Sequence, residues 1–210
     1  MPPRSAAPRA WQRMLSGRRL DLLDPSPFDI EIEDIAHGLA RVARWNGQTA
    51  GPQIFSVAQH SLLVEAFVRE IDALQSPAGL MAALLHDAPE YVIGDMISPF
   101  KAVIGTDYKL TEAKILGAIH LRFGLRSPSP LALARLVKQA DRASAAVEAV
   151  RLAGFAAPEA LKLFGAAPAL AGLEALLEPC SSQTAQQRFL RRFHALEGEM
   201  GQARPAETGR

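Results

Sequence analysis

The dipeptide His86-Asp87 closes the apolar run from Gly79 to Leu85, is followed by Ala88-Pro89-Glu90, and sets an imidazole beside a carboxylate. Successive side chains on a helix point about 100° apart, so neighbours can share one small ion only over a helix edge or end. Pro89 supplies an end. It has no amide hydrogen and its ring collides with the carbonyl of Leu85, which kinks or stops the helix just past His86-Asp87. Two further residues sit where solvated polar groups are not expected: His60 precedes Leu62-Leu63-Val64, and Asp141 lies mid-helix with Val137 and Ala145 one turn to either side. Taken singly, His60 reads as a core histidine, and Asp141 as a carboxylate that needs a partner or rotates into water. Taken together, His60, His86, Asp87 and Asp141 offer two imidazoles and two carboxylates from three helices. That donor set suits one divalent ion of borderline hardness, Co, Mn, Zn, Fe or Ni, with positions left for water.

Positioning these groups requires helices. Ile32, Ile35, Leu39 and Val42 recur at helical spacing and predict a first helix ending near Trp45, with Gly47 as its stop. Ser56-Val57-Ala58-Gln59 has the capping-box pattern and opens a helix to about Ile71, which carries His60. Ser76-Pro77 opens the helix that ends near Asp87. Asp107 to Phe123 predicts a fourth helix, and Ser129-Pro130 starts a long fifth one, through Asp141, to Gly154. Shorter helices follow at Pro158 to Phe164, Pro168 to Leu177 and Ser181 to about Leu196. No strand alternation stands out.

Composition agrees with an all-α bundle. Hydrophobic residues make up 49% and aromatics only 6% of the 210 residues, so Ala, Leu, Val and Ile must build the core. Residues 1–15 read as a flexible lead-in, 16–197 as one domain and 198–210 as a flexible tail. The net charge of +1 provides no broad field for polymeric nucleic acid or an anionic membrane, so an anionic ligand must be held locally. Cys180 stands alone, which excludes an internal disulfide. With no long apolar span and no signal-peptide core, a soluble cytoplasmic protein is expected.

The order His, His-Asp, distant Asp resembles the HD-domain metal-dependent phosphohydrolases. Here it reads Ala58-Gln59-His60-Ser61, Leu84-Leu85-His86-Asp87 and Gln139-Ala140-Asp141-Arg142. Arg44-Trp45 ahead of the first histidine, Glu90 after the pair, and Gly94-Asp95 with Ser98-Pro99-Phe100-Lys101 are similar to the YfbR-like 5′-nucleotidase branch; the likeness extends over Ser16 to Gly154. The resemblance implies an all-α HD domain with a central metal site, acting as a 5′-nucleotidase that removes phosphate from (deoxy)ribonucleoside 5′-monophosphates. Metal ligands would be His60, His86, Asp87 and Asp141. Arg44 would neutralise phosphoryl oxygens, while Glu90 and Asp95 would share general acid/base work, either taking either part. Trp45 would wall the nucleoside, Lys101 would meet phosphate, and Glu148, two turns beyond Asp141 on the same face, would line the pocket more distantly. His120 is the one histidine between the His-Asp pair and Asp141 and reads as structural, which implies a single ion. No Gly-Tyr-Pro element of the c-di-GMP-cleaving subgroup occurs.

Two alternatives use the same residues: a triphosphohydrolase attacking the α-phosphorus of a dNTP, and a metal- or nucleotide-binding module without turnover. Retention of Glu90 and Asp95 beyond the four ligands favours an enzyme. Because ligand histidines must be neutral, metal occupancy is expected to fall as pH drops below about 6.5. The Ala-rich region after Gly154 would complete the bundle or form the face of a homodimer.

Overall fold

The computed structural model describes residues 10–97, 100, 103, 106–166, 170 and 172–203. Among these the chain is all-α, with eight helices: α1 Ile32–Leu39, α2 Val57–Ile71, α3 Pro77–Leu84, α4 Glu90–Ile93, α5 Thr106–Arg122, α6 Leu131–Arg151, α7 Ala157–Phe164 and α8 Ser182–Ala203. Helix α2 is the axis of the bundle. Its residues from Val57 to Glu65 are all buried, because α3, α6 and α8 pack around it. A helix covered on every side must bury its polar residues too, and Gln59, His60, Ser61 and Glu65 of α2 are all buried. Phe55 just before α2, Phe67 on it, and Phe189 and Phe193 on α8 are the largest fully buried side chains.

The predicted caps are in place. The Ser56 hydroxyl accepts from the Gln59 amide, and the Ser76 hydroxyl accepts from the Gly79 amide at 3.1 Å. Helix α1 is shorter than its apolar spacing predicts, ending at Leu39 rather than near Trp45. The chain then runs extended at Ala43, bridges to Ser56, and accepts Val57 N–H at Val42 O. Arg44 N–H donates to Phe55 O at 2.8 Å. These bonds bring Arg44 to the start of α2. Close approach of α1 to α4 rests on Gly38, where a Cβ would lie 2.7 Å from Tyr91 Cβ and 2.8 Å from Tyr91 O.

Helix α3 also stops early, at Leu84 rather than near Asp87. The backbone bonds change from four-residue to three-residue spacing, His86 N–H to Ala83 O, Ala88 N–H to Leu85 O and Glu90 N–H to Asp87 O. The fault at Pro89 therefore spreads backwards through the last turn. His86 and Asp87 sit in this tight turn between α3 and α4.

The ends of the chain depart from expectation. Trp11–Arg13 and Arg19–Asp21 pair antiparallel, with Gln12 opposite Leu20, so residues 11–15 belong to a hairpin and not to a flexible lead-in. Its tip is fastened by Ser16, whose amide and hydroxyl both donate to the buried Asp34 carboxylate. At the other end α8 continues to Ala203, through Gly198, where the tail is expected to begin. The Ala-rich segment completes the bundle: α7 packs on α6, and α8 on α1, α2 and α3. Of the helix expected over Pro168 to Leu177, residues 167–169 and 171 lie outside the described set, and the described part forms a 3-10 turn at Glu174–Leu176.

Candidate metal centre

Antiparallel packing of α2 against α6 sets His60 opposite Asp141 and Glu148, and the turn after α3 adds His86 and Asp87. Ligand atoms of His60, His86 and Asp141 all lie within 4.8 Å of one another, a group able to hold a metal ion. His60 Nε2 is 3.4 Å from Asp141 Oδ1 and 3.5 Å from Asp87 Oδ2. His86 Nε2 is 3.1 Å from the same Asp87 oxygen. Asp87 thus flanks the triad on one side. Of the four residues singled out by order and type, three form this group, and Asp87 lies beside its two histidines.

Each imidazole is oriented by its other nitrogen. His86 Nδ1 faces Ala83 O at 2.9 Å, and His60 Nδ1 faces Glu148 Oε1 at 2.5 Å. With Nδ1 donating, both Nε2 atoms are turned to the cluster, where they are buried and have no hydrogen-bond partner among the described residues. Two converging, unsatisfied imidazole nitrogens beside two carboxylates fit a divalent cation chemically.

Electrostatically the cluster is strongly coupled. Burial and the Arg44 charge both disfavour a protonated His60, but Glu148 and Asp141 outweigh them and raise its pKa to about 10. Burial disfavours ionised Asp87, yet His86 and His60 hold its carboxyl well below the usual range. Asp141 is likewise lowered against its burial, by His60, His86 and Lys138. Glu148 is buried, and His60 and Arg44 bring it down to about 2.

Glu148 departs most from expectation. It has no exposure, so it cannot line a substrate pocket. Its carboxylate accepts from His60 Nδ1, from Trp45 Nε1 at 3.0 Å and from Arg44 Nε at 3.4 Å. The guanidinium also donates through NH1 to Asp95 Oδ2 at 3.0 Å, and Arg44 is held firmly cationic: burial opposes the charge but Glu148, Asp95, Asp87 and Glu90 overcome it. Trp45 belongs to the same scaffold. Its ring packs against Phe155 and Phe164, with centroids 5.6 and 5.7 Å away, rather than standing free as a nucleoside wall. To reach there, Trp45 and Asn46 adopt φ of 56° and 50°, a conformation that costs non-glycine residues roughly 1–2 kcal/mol each.

Glu90 heads α4 and is buried, not solvated. Asp95 follows Gly94 (φ 76°) and lies on the wall of a cleft of about 470 Å³ with Asn46, Ile93, Met96, Ile97 and Phe100. Lys101 lies outside the described residues. His120 is buried with Nδ1 on Arg126 O at 3.2 Å, away from the cluster, as a structural histidine should be. The free Cys180 is half-buried.

This is an all-α protein with a partly buried His/Asp cluster that could hold a metal ion. No protein-family profile matches the chain. It is 59% identical over 157 residues to an uncharacterized protein of Rhodobacter capsulatus, a match covering 75% of this chain and 80% of the relative, and it belongs to that protein's family. Among the described residues no helix is long and apolar enough to cross a membrane.

Replacing Glu148 by Ala leaves a buried guanidinium and an imidazole without their shared acceptor. The expected cost is roughly 3–5 kcal/mol of unfolding free energy, read from denaturant midpoints. A loss below about 1 kcal/mol would mean that other groups compensate Arg44 and His60.

Proposed function

We propose that the protein is a metal-dependent phosphohydrolase of the HD-domain type that removes phosphate from (deoxy)ribonucleoside 5′-monophosphates. The observation that carries this reading is the convergence of His60, His86 and Asp141 from three separated segments, with Asp87 beside the two histidines and both Nε2 atoms lacking a hydrogen-bond partner among the described residues. The four residues would hold one divalent ion, Co, Mn, Zn, Fe or Ni. When bound, such an ion neutralises a phosphoryl oxygen and lowers the pKa of a water.

The other residues are arranged for phosphate-ester hydrolysis. Arg44 spends Nε on Glu148 and NH1 on Asp95, which leaves guanidinium N–H groups free to meet non-bridging oxygens, with the fork held in one plane. Glu90 and Asp95 are two carboxylates whose charges both act on Arg44, and they would share the work of taking a proton from water and returning one to the leaving 5′-oxygen. The cleft beside Asp95, apolar through Ile93, Met96, Ile97 and Phe100, suits a nucleoside. Glu148 acts beneath these groups, holding His60 and Arg44 in mutual register. Arg44 also neutralises the buried Glu148, so it is Asp95 and Glu90, which metal binding does not require, that favour an enzyme over a metal-binding module.

Metal-loaded protein offered dAMP and dATP separately tests the reaction. Inorganic phosphate from dAMP is expected; triphosphate released from dATP, or no product from either, would overturn the assignment. Binding of the ion has its own proton signature. An ion at His60 Nε2 must displace the proton retained there up to about pH 10 in the metal-free protein. Because that pKa is raised, affinity should climb with pH, roughly tenfold per unit, across the neutral range and level off only above the raised value. The window lies well above that of an ordinary imidazole. Titration calorimetry at pH 8 in buffers of different ionisation heat should give about one proton released per ion; zero release would contradict the ligand role of His60.

A further inference from the structure

Next to the cluster, on the outer face of α6, stands a row of cations. Arg135, Lys138 and Arg142 follow one another at helical spacing and line an open groove of about 650 Å³, closed on its other side by Ile71 and Phe164. No acidic side chain lines this groove, and Arg135 and Arg142 form no ion pair among the described residues. Lys138 connects it to the metal centre: its Nζ is 2.7 Å from Asp141 Oδ2, while Asp141 Oδ1 faces His60 Nε2 at 3.4 Å. The groove therefore adjoins the site through a single carboxylate. Arg135 and Arg142, with Lys138 paired to Asp141 between them, leave two positive charges on this helix face that an anion in the groove would neutralise. Its volume is that of a small-molecule site, and two of its three cations are guanidinium forks, which match phosphate oxygens.

We propose that this groove is a subsite for a second phosphate group, so that the preferred ligand is a nucleotide carrying more than one phosphate. The identity of the ligand as a nucleotide rests on the phosphohydrolase reading above; the anion site itself rests on the groove. One phosphate over the His/Asp cluster is met by Arg44 and leaves Arg135 and Arg142 without a counter-charge among the described residues. Arg135 and Arg142 are about 10 Å apart along the helix axis at 1.5 Å per residue. A second phosphate on either end of the nucleotide, at the 3′-oxygen or in a 5′-diphosphate, can come within reach of such a row. Lys138, already on a carboxylate oxygen, would exchange Asp141 for phosphate.

The test compares dAMP, ADP and adenosine 3′,5′-bisphosphate as ligands of the full-length, metal-loaded chain, by equilibrium binding and separately by turnover. The comparison is repeated with the double variant Arg135→Glu/Arg142→Glu. Both arginines are exposed, so the variant should keep its helix content, checked by circular dichroism. The wild-type protein is expected to bind ADP or the 3′,5′-bisphosphate at least about tenfold more tightly than dAMP, and the variant to lose that preference with dAMP binding unchanged. Which of the two probes gains affinity identifies the side on which the second phosphate lies. Equal binding of all three by wild type, or equal loss for all three in the variant, overturns the subsite. Binding preference without hydrolysis of any probe would retain the subsite and remove the phosphohydrolase reading; hydrolysis of dAMP without preference would do the reverse.

Discussion

A carboxylate with no access to water must be neutralised where it lies, and Glu148 imposes that condition on the centre of this bundle. Its two oxygens meet His60, Trp45 and Arg44, three donors from two different stretches of chain. The consequences run outward. His60 is fixed with Nε2 towards Asp141 and Asp87, Arg44 is fixed with its far nitrogen on Asp95, and the chain at Trp45 and Asn46 is held in a backbone conformation that neither residue favours alone. A lone buried carboxylate would be costly; one with three donors rigidifies its surroundings. The remainder of the fold serves to keep α2 and α6 at the distance where these bonds close. Helices α3 and α8 wrap α2, α7 caps α6 and presses Phe164 on Trp45, and the N-terminal hairpin is fastened to α1 through Ser16 and Asp34.

Much of this was legible in the sequence where local chemistry decides the outcome. Ser56 and Ser76 announce their helices because a hydroxyl before an apolar stretch satisfies an otherwise orphaned amide, and Pro89 announces a break because it cannot donate. His60 and Asp141 stand out because polar groups at apolar positions require partners. Their convergence follows from the antiparallel passage of α2 past α6. What the sequence leaves hidden depends on contacts made at long range. Glu148 shares a helix face with Asp141, which suggests a pocket wall; only the tertiary packing reveals that the face is covered and the carboxylate works from beneath. Trp45 at a predicted helix end gives no sign of a left-handed turn. The hairpin strands, three residues each, are too short for alternation to register, and Gly198 reads as a stop although an exposed helix can run through it.

The turn from Leu85 to Pro89 shows how a local defect becomes useful. The helix ends at Leu84, and from His86, three residues before the proline, the backbone bonds close over three residues. In this turn the His86 imidazole and the Asp87 carboxylate lie beside His60, with Glu90 following at the head of α4. The bundle is thus built around polar groups that a helical core would ordinarily exclude, each balanced by another.

The central claim is that this balance is completed by one cation. Its most direct test is anomalous diffraction from crystals of the protein loaded with Mn or Zn, collected at the absorption edge of the metal. The account predicts a single peak within coordinating distance of His60 Nε2, His86 Nε2 and the carboxylates of Asp87 and Asp141. No peak there, or a peak only at other carboxylates, would contradict it.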